Sequence, residues 1–271
     1  MNLDVKSLWN FADPVQSEER FRLALSTAAG DDAAVLRTQI ARTYGLRSDF
    51  EAARAILAAV KPELQTAGDE ARARYWLELG RTYASAAHSA AAQTAETKRI
   101  AREAYEQALA IARSAGLDEL AVDTLHMLAF VDTDSAAQLN WGLEALALAQ
   151  ASSQPSAQAW EASLHHNVGD ALHHLGRYEE ALIHFHRAVA LRERDRDLQA
   201  VRAARWMVGR TLRVLGRIDA ALEIQLRLER ERELEGTPSR YVFDELKLLY
   251  RAKGDEVRAE HYALLRGTFR D

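Results

Sequence analysis

The chain of 271 residues carries 35 basic and 40 acidic side chains, for a formal charge of −5. With 48% apolar and 28% charged residues it has the balance of a folded polypeptide, and 51 alanines against 13 glycines and 4 prolines speak for helix and against a turn-rich all-β protein. The absence of cysteine excludes disulfides, iron–sulfur clusters, thiolate zinc sites and cysteine nucleophiles. Apolar runs fall well short of the ~20 residues of a membrane span. The first ten residues lack the basic-then-apolar order of a secretion signal. A cytoplasmic location without membrane contact is therefore expected. The mild acidity offers no general attraction to nucleic acid, which is not expected as a partner.

In chain order, a leading helix is expected over residues 17–28, begun by Ser17 with Glu18 and Glu19 in its first turn, where acidic groups suit the helix dipole. Residues 1–32 would form an N-terminal segment and capping helix. Paired helices follow at 33–45 and 49–60, 69–86 and 95–115, 118–131 and 134–151, 156–175 and 178–194, 197–215 and 218–234, and 239–253 and 255–267. The segment 85–97 either extends the flanking helices or forms a loop, and its alanine content slightly favours helix. Mixed-sign runs at 192–197 and 229–235 read as solvated helix ends and turns.

The pairs are copies of one unit. Gly169 aligns with Gly209, Leu172 with Leu212, Gly176 with Gly216 and Ala181 with Ala221, each 40 residues on. The same frame puts Ala41, Gly80, Ala129 and Lys247 in the slot of Gly169, so that successive slots are 39, 49, 40, 40 and 38 residues apart. A glycine in mid-helix costs ~1 kcal/mol of helix propensity, which close approach of a partner helix must offset. Gly176 after Leu175 reads as a helix stop, and Tyr178 restarts a helix at once, which makes the two helices antiparallel neighbours. No such pair buries both its faces, so the units must stack.

Val168, Gly169, Leu172, Gly176, Tyr178, Ala181, Phe185 and Ala188 together resemble the pattern of the tetratricopeptide repeat family, in a variety whose period is 40 residues, longer than the usual ~34. The resemblance runs over residues 33–267. It implies an all-α fold: antiparallel helix pairs stacked in a right-handed superhelix, an α-solenoid, with about six pairs over residues 33–271 in one domain. It also implies a concave groove lined by the first helix of each pair. Transferred in the frame where Val168 and Val208 correspond, the groove positions are Arg42, Arg81, His126, Phe130, His166, Asp170, His173, Trp206, Arg210, Arg213, Tyr241 and Arg251.

The function this implies is a non-enzymatic protein–protein interaction scaffold that binds a peptide segment. Arginine holds carboxylates bidentately and exposed aromatics supply anchor area, so an acidic or C-terminal peptide with an apolar side chain is the expected partner. The match to the carboxylate-clamp subclass is partial: Asn167 is in place, but His166 stands where a lysine would. A second reading is a sensor that takes a small signalling peptide or metabolite in the same groove. A third is metal-dependent activity at His166, Asp170 and His173, which fall within about 60° of one another on one helix face. His184 and His186 lie on the next helix and point elsewhere, so the six histidines between 165 and 186 are not expected to converge. His165 is expected to be a partly buried, hydrogen-bonded structural histidine. No nucleotide-binding or hydrolase motif is present, so neither an enzyme nor a cofactor is expected. Apolar side chains on the last helix could pair two copies of the chain.

Overall fold

The computed structural model describes residues 3–269, and among these every regular element is a helix. The helices gather into two compact units, one up to Trp160 and one from Glu161 onward. The first unit opens with α1 (Val5–Leu8) and α2 (Pro14–Leu25). Three antiparallel pairs follow: α3 (Gly30–Leu46) with α4 (Phe50–Val60), α5 (Asp69–Arg81) with α6 (Ala95–Ser114), and α7 (Asp118–Val131) with α8 (Ser135–Ala151). A short α9 (Pro155–Gln158) closes the unit. The second unit has the pairs α10 (Glu161–His174) with α11 (Tyr178–Arg194), α12 (Leu198–Val214) with α13 (Ile218–Leu234), and α14 (Arg240–Ala252) with α15 (Glu256–Gly267). Within each unit helix packs on helix in chain order, and the first helices α3, α5 and α7 also lie side by side.

The small-residue slot does what its chemistry requires. A Cβ on Gly169 would stand 2.7 Å from the ring of Phe185, and one on Gly80 would stand 2.4 Å from the ring of Tyr105. Both rings are fully buried. The missing side chain is thus the seat of the aromatic from the second helix of the pair. The turn after α10 ends as expected: Gly176 has φ of 74°, and the Arg177 N–H reaches back to the Leu172 carbonyl at 2.9 Å. The next repeat copies this, with φ of 74° at Gly216 and Arg217 donating to Leu212 at 2.9 Å.

Three expectations need correction. The leading helix starts at Pro14, not Ser17, because Asp13 caps it by accepting from the Gln16 N–H at 3.0 Å and proline suits the first helical position. Ser17 instead is fully buried, where its hydroxyl accepts from the Asn10 N–H at 2.7 Å and donates to the Asn10 carbonyl at 2.9 Å. The segment 85–97 is a loop with one 3-10 turn at Ala90–Ala92 before α6 begins. Phe185 lies 16 residues after its glycine and Tyr105 lies 25 after Gly80, so the nine extra residues are housed between α5 and α6. Polar anchoring overrides alanine's helix preference there. The His88 ring stacks on Phe50 at 3.6 Å and its Nδ1 lies 3.0 Å from the Ser85 hydroxyl, while Tyr105 donates to the Ala84 carbonyl at 2.7 Å. Finally, the helix expected over 156–175 is interrupted at Ala159 and Trp160, and the Trp160 ring turns to within 5.6 Å of His126.

Candidate functional site

In the first unit, α3, α5 and α7 each present one or two polar side chains to a common cavity of about 310 Å³. All four of the groove residues expected in this unit, Arg42, Arg81, His126 and Phe130, line it. Glu78 and Asp123 join them and were not anticipated from the sequence. Arg81 is the hub: it donates to Glu78 at 2.6 Å and to Asp123 at 2.5 Å. Arg42 lies 3.6 Å from Glu78 and 3.8 Å from Asp123, too far for hydrogen bonds. Its guanidinium instead rides over the stacked rings of Trp9 and Phe11, 5.4 Å from each. Two guanidinium and two carboxylate groups make a neutral quartet. Burial pushes the Asp123 carboxyl up, but the charges of Arg81 and Arg42 outweigh it and hold it below the usual carboxylate range. Burial also lowers Arg42, with the like charge of Arg81 adding to the effect. His126 is lowered chiefly by burial, against the pull of Asp123. Two atoms of the quartet, Arg42 Nε and Glu78 Oε2, are buried with no hydrogen-bond partner. Loop residues 85–87 and the apolar side chains of Leu46, Met127, Phe130 and Trp160 complete the walls.

In the second unit, His166, Trp206 and Tyr241 line a cavity of about 300 Å³ contributed by α10, α12, α13 and α14. The Trp206 indole donates to the Tyr241 carbonyl at 3.1 Å, and the two rings meet edge to face at 6.1 Å. Arg210 lies over the Trp206 ring at 5.6 Å, with no carboxylate in ion-pair range among the described residues. Arg213 is spoken for: it makes a two-pronged bond to Glu245 at 2.6 and 3.1 Å. His173 is buried and its Nδ1 lies 3.1 Å from the Thr211 hydroxyl. Asp170 faces His174 at 3.5 Å, and Arg251 faces Glu256 at 3.7 Å, both at the surface. The unit's expected residues therefore divide: His166, Trp206, Arg210 and Tyr241 come together, while Asp170, His173, Arg213 and Arg251 are engaged elsewhere. Arg202 was missed. It lines this cavity and is held by Glu235 at 2.7 Å, with Glu231 at 3.5 Å. Part of the charged run 229–235 is thus an ion-pair scaffold, not only a solvated turn.

The histidines do not assemble a metal centre: among the described residues no group of three or more potential ligands has the required arrangement. His165 is buried and its Nδ1 meets Nδ1 of His184 at 3.0 Å, so two of the six histidines do converge, as a hydrogen-bonded pair. Burial and the neighbouring His184 push His165 down to about 4. His166, His173 and His184 are also lowered, in each case first by burial.

Residues 160–230 match the family model described as tetratricopeptide repeat. Over these residues the chain carries tetratricopeptide repeats. Solved structures support the same fold over most of its length. The chain aligns with a signal transduction ATPase with numerous domains that carries a tetratricopeptide repeat sensor, from Pyrococcus horikoshii, at a TM-score of 0.73 and 13% identity, covering 94% of this chain and 40% of that one. It spans, in other words, two fifths of that ATPase's length. It aligns with the apo form of RapI at 0.68 and 14% identity, covering 87% of this chain and 84% of the other. It aligns with a Rap protein complexed with competence and sporulation factor at 0.57 and 19% identity, covering 93% and 69%. No curated protein matches the sequence. Tetratricopeptide architecture explains why the polar side chains gather as they do: first helices of successive repeats lie side by side, so equivalent positions fall on one face.

Proposed function

We propose that this tetratricopeptide chain is a non-catalytic binding module that takes a peptide segment of a partner protein on the first helices of its repeats. The observation that carries the reading is the convergence of Trp206, Tyr241 and Arg210 beside one cavity from two successive repeats. A tryptophan and an arginine held against each other at a concave surface are the residue types that dominate binding energy at interfaces. Arg210 lies over the Trp206 ring with no carboxylate in ion-pair range among the described residues, which suits an acidic side chain or a C-terminal carboxylate. Solved tetratricopeptide structures described as a sensor and as a complex with a competence and sporulation factor support a binding role by analogy.

The test is selection of peptides from a displayed library, followed by fluorescence anisotropy with wild type, Trp206→Ala and Arg210→Ala. Loss of the tryptophan is expected to weaken the selected peptides by about 30-fold, the effect of a ~2 kcal/mol anchor. Folded variants that bind the selected peptides as tightly as wild type would refute the reading.

A sensor of small molecules is the second reading. The ion-lined cavity of the first unit favours it.

A further inference from the structure

The cavity of the first unit combines features that a merely structural ion cluster does not need. Glu78 and Asp123 are already hydrogen-bonded by Arg81. Arg42 completes the charge balance, yet among the described residues its guanidinium donates no hydrogen bond. One carboxylate oxygen, Glu78 Oε2, accepts none either. A buried donor and a buried acceptor that leave each other unbonded are each costly, and stable cores avoid them. Both belong to side chains on the wall of one cavity. That cavity is at the small end of the ~300–1,000 Å³ range of ligand sites. Leu46, Met127, Phe130 and Trp160 supply apolar walls, and Thr82, Ser85 and His126 add polar side chains outside the quartet.

The charge sum narrows the occupant. A lone anion against Arg42 would leave the buried quartet with a net negative charge, and a lone cation against Glu78 would leave it positive; either incurs a desolvation penalty without compensation. An occupant with one positive and one negative group leaves the sum at zero. We propose that the first unit's cavity binds a free α-amino acid with an apolar side chain, its carboxylate on Arg42, its ammonium on Glu78 and its side chain against Met127, Phe130 and Trp160. The Arg42 side chain retains 21% of its surface and Glu78 only 2%, so the carboxylate docks first and the ammonium reaches Glu78 as the two side chains turn towards it. The site shares no residue with the peptide surface of the second unit, and failure of that surface in the library test leaves it intact.

Two sources of this chemistry differ in a way that can be measured. A free amino acid carries both charges on one carbon. A peptide end carries only one of them at that spacing. Isothermal titration of the full chain with L-phenylalanine, L-leucine, L-methionine and L-tryptophan reads the first. N-acetyl-L-phenylalanine, L-phenylalaninamide and L-phenylalanylglycine read the second. The expected result is binding of at least one free amino acid, with each blocked form of phenylalanine, or of the preferred amino acid, weaker by about 10-fold or more, as for loss of a charge-assisted hydrogen bond. No binding of any of the four up to about 10 mM, a dissociation constant beyond the weakest useful range, overturns the proposal. So does equal binding of the free and blocked forms.

Arg42→Gln is expected to abolish binding. Because that change also disturbs the quartet, Phe130→Ala serves as the second variant. Phe130 is half-buried and outside the quartet, so the protein keeps its circular dichroism and loses affinity by about 5-fold or more. A folded Phe130→Ala protein with undiminished affinity places the amino acid elsewhere and overturns the assignment.

Discussion

The repeat's glycines offer a test in which one physical idea gives two opposite signs. Gly169 lies inside α10, and Gly45 lies in the last turn of α3. Alanine in place of glycine gains up to about 1 kcal/mol of helix propensity at either position. At Gly45 a new Cβ meets nothing within 4 Å, so only the gain applies. At Gly169 it would stand 2.7 Å from the Phe185 ring. To regain an ordinary contact of 3.4 Å the ring must retreat by 0.7 Å. Phe185 has no exposed surface, so its retreat presses on packed neighbours. Overpacking of this kind costs about 1–3 kcal/mol. Set against the propensity gain, Gly169→Ala comes out destabilising by up to about 2 kcal/mol, while Gly45→Ala comes out stabilising by up to about 1 kcal/mol. Urea unfolding followed by circular dichroism reads both from the midpoint. Placing Gly169→Ala at or above wild-type stability would refute the claim that the small residue exists to seat the aromatic. A loss at Gly45→Ala would refute the propensity argument instead.

Two further outcomes follow from buried charge. Arg81→Met removes the hub that bonds both carboxylates and is expected to cost about 3–5 kcal/mol near neutral pH, as when one partner of a buried pair is lost. In wild type the Asp123 carboxyl is held low, so its contribution is present above the unfolded value and fades as pH falls through the folded one. In the variant, burial wins and raises it, so the gap between variant and wild type should narrow from pH 8 to pH 5; a gap that is constant or widens contradicts the assignment. The wild type itself should lose stability in mild acid. His165 is held down at about 4 against 6.5 unfolded, so the unfolded chain takes up its proton first as pH drops through that window. The loss is on the order of 3 kcal/mol at most. Urea midpoints that do not fall between pH 7.5 and 4.5, or that fall equally in His165→Phe, would show that the histidine pair is not responsible.

The fold was legible because one local device recurs: a glycine for the partner's ring, another for the turn, an alanine facing back. Each is a short-range physical requirement, so Gly169, Gly176 and Ala181 could be read without knowing their neighbours. What stayed illegible depended on contacts between repeats. Glu78 and Arg81 stand three apart on one helix and could be paired from the sequence, but nothing near them marks Arg42 as the neighbour of Glu78 or Asp123 as the partner of Arg81, since Arg42 arrives from the preceding repeat and Asp123 from the following one. A frame that compares repeats does contain part of the signal. Glu78 and Glu245 both stand two residues before the small-residue slot, at Gly80 and Lys247, and both are buried against arginine. The helix expected to begin at Ser17 failed for a similar reason. Ser17 has the chemistry of a cap, but Asp13 followed by Pro14 has it too, and burial of the Ser17 hydroxyl against Asn10 decides between them.

The division of labour within each repeat bears on how recognition can change without loss of the fold. The contacts that hold a pair together lie between its two helices: Gly80 under Tyr105, Gly169 under Phe185. The groups proposed for recognition lie on the other side of the first helix, where it meets the first helices of neighbouring repeats. Arg42, Arg81 and Asp123 come from three such helices and Trp206 and Tyr241 from two. A substitution at the recognition face therefore changes which charges and rings converge, while the pair beneath keeps its seat for the aromatic. The coupling is weakest where the residue is half-buried and outside an ion cluster, as at Phe130 and Arg210, and strongest at Arg81, which serves both tasks. Variation among proteins built on this frame should accordingly concentrate at positions of the first kind. The quartet would change only as a set, because a lone arginine or carboxylate left in that space is far costlier than four replaced together.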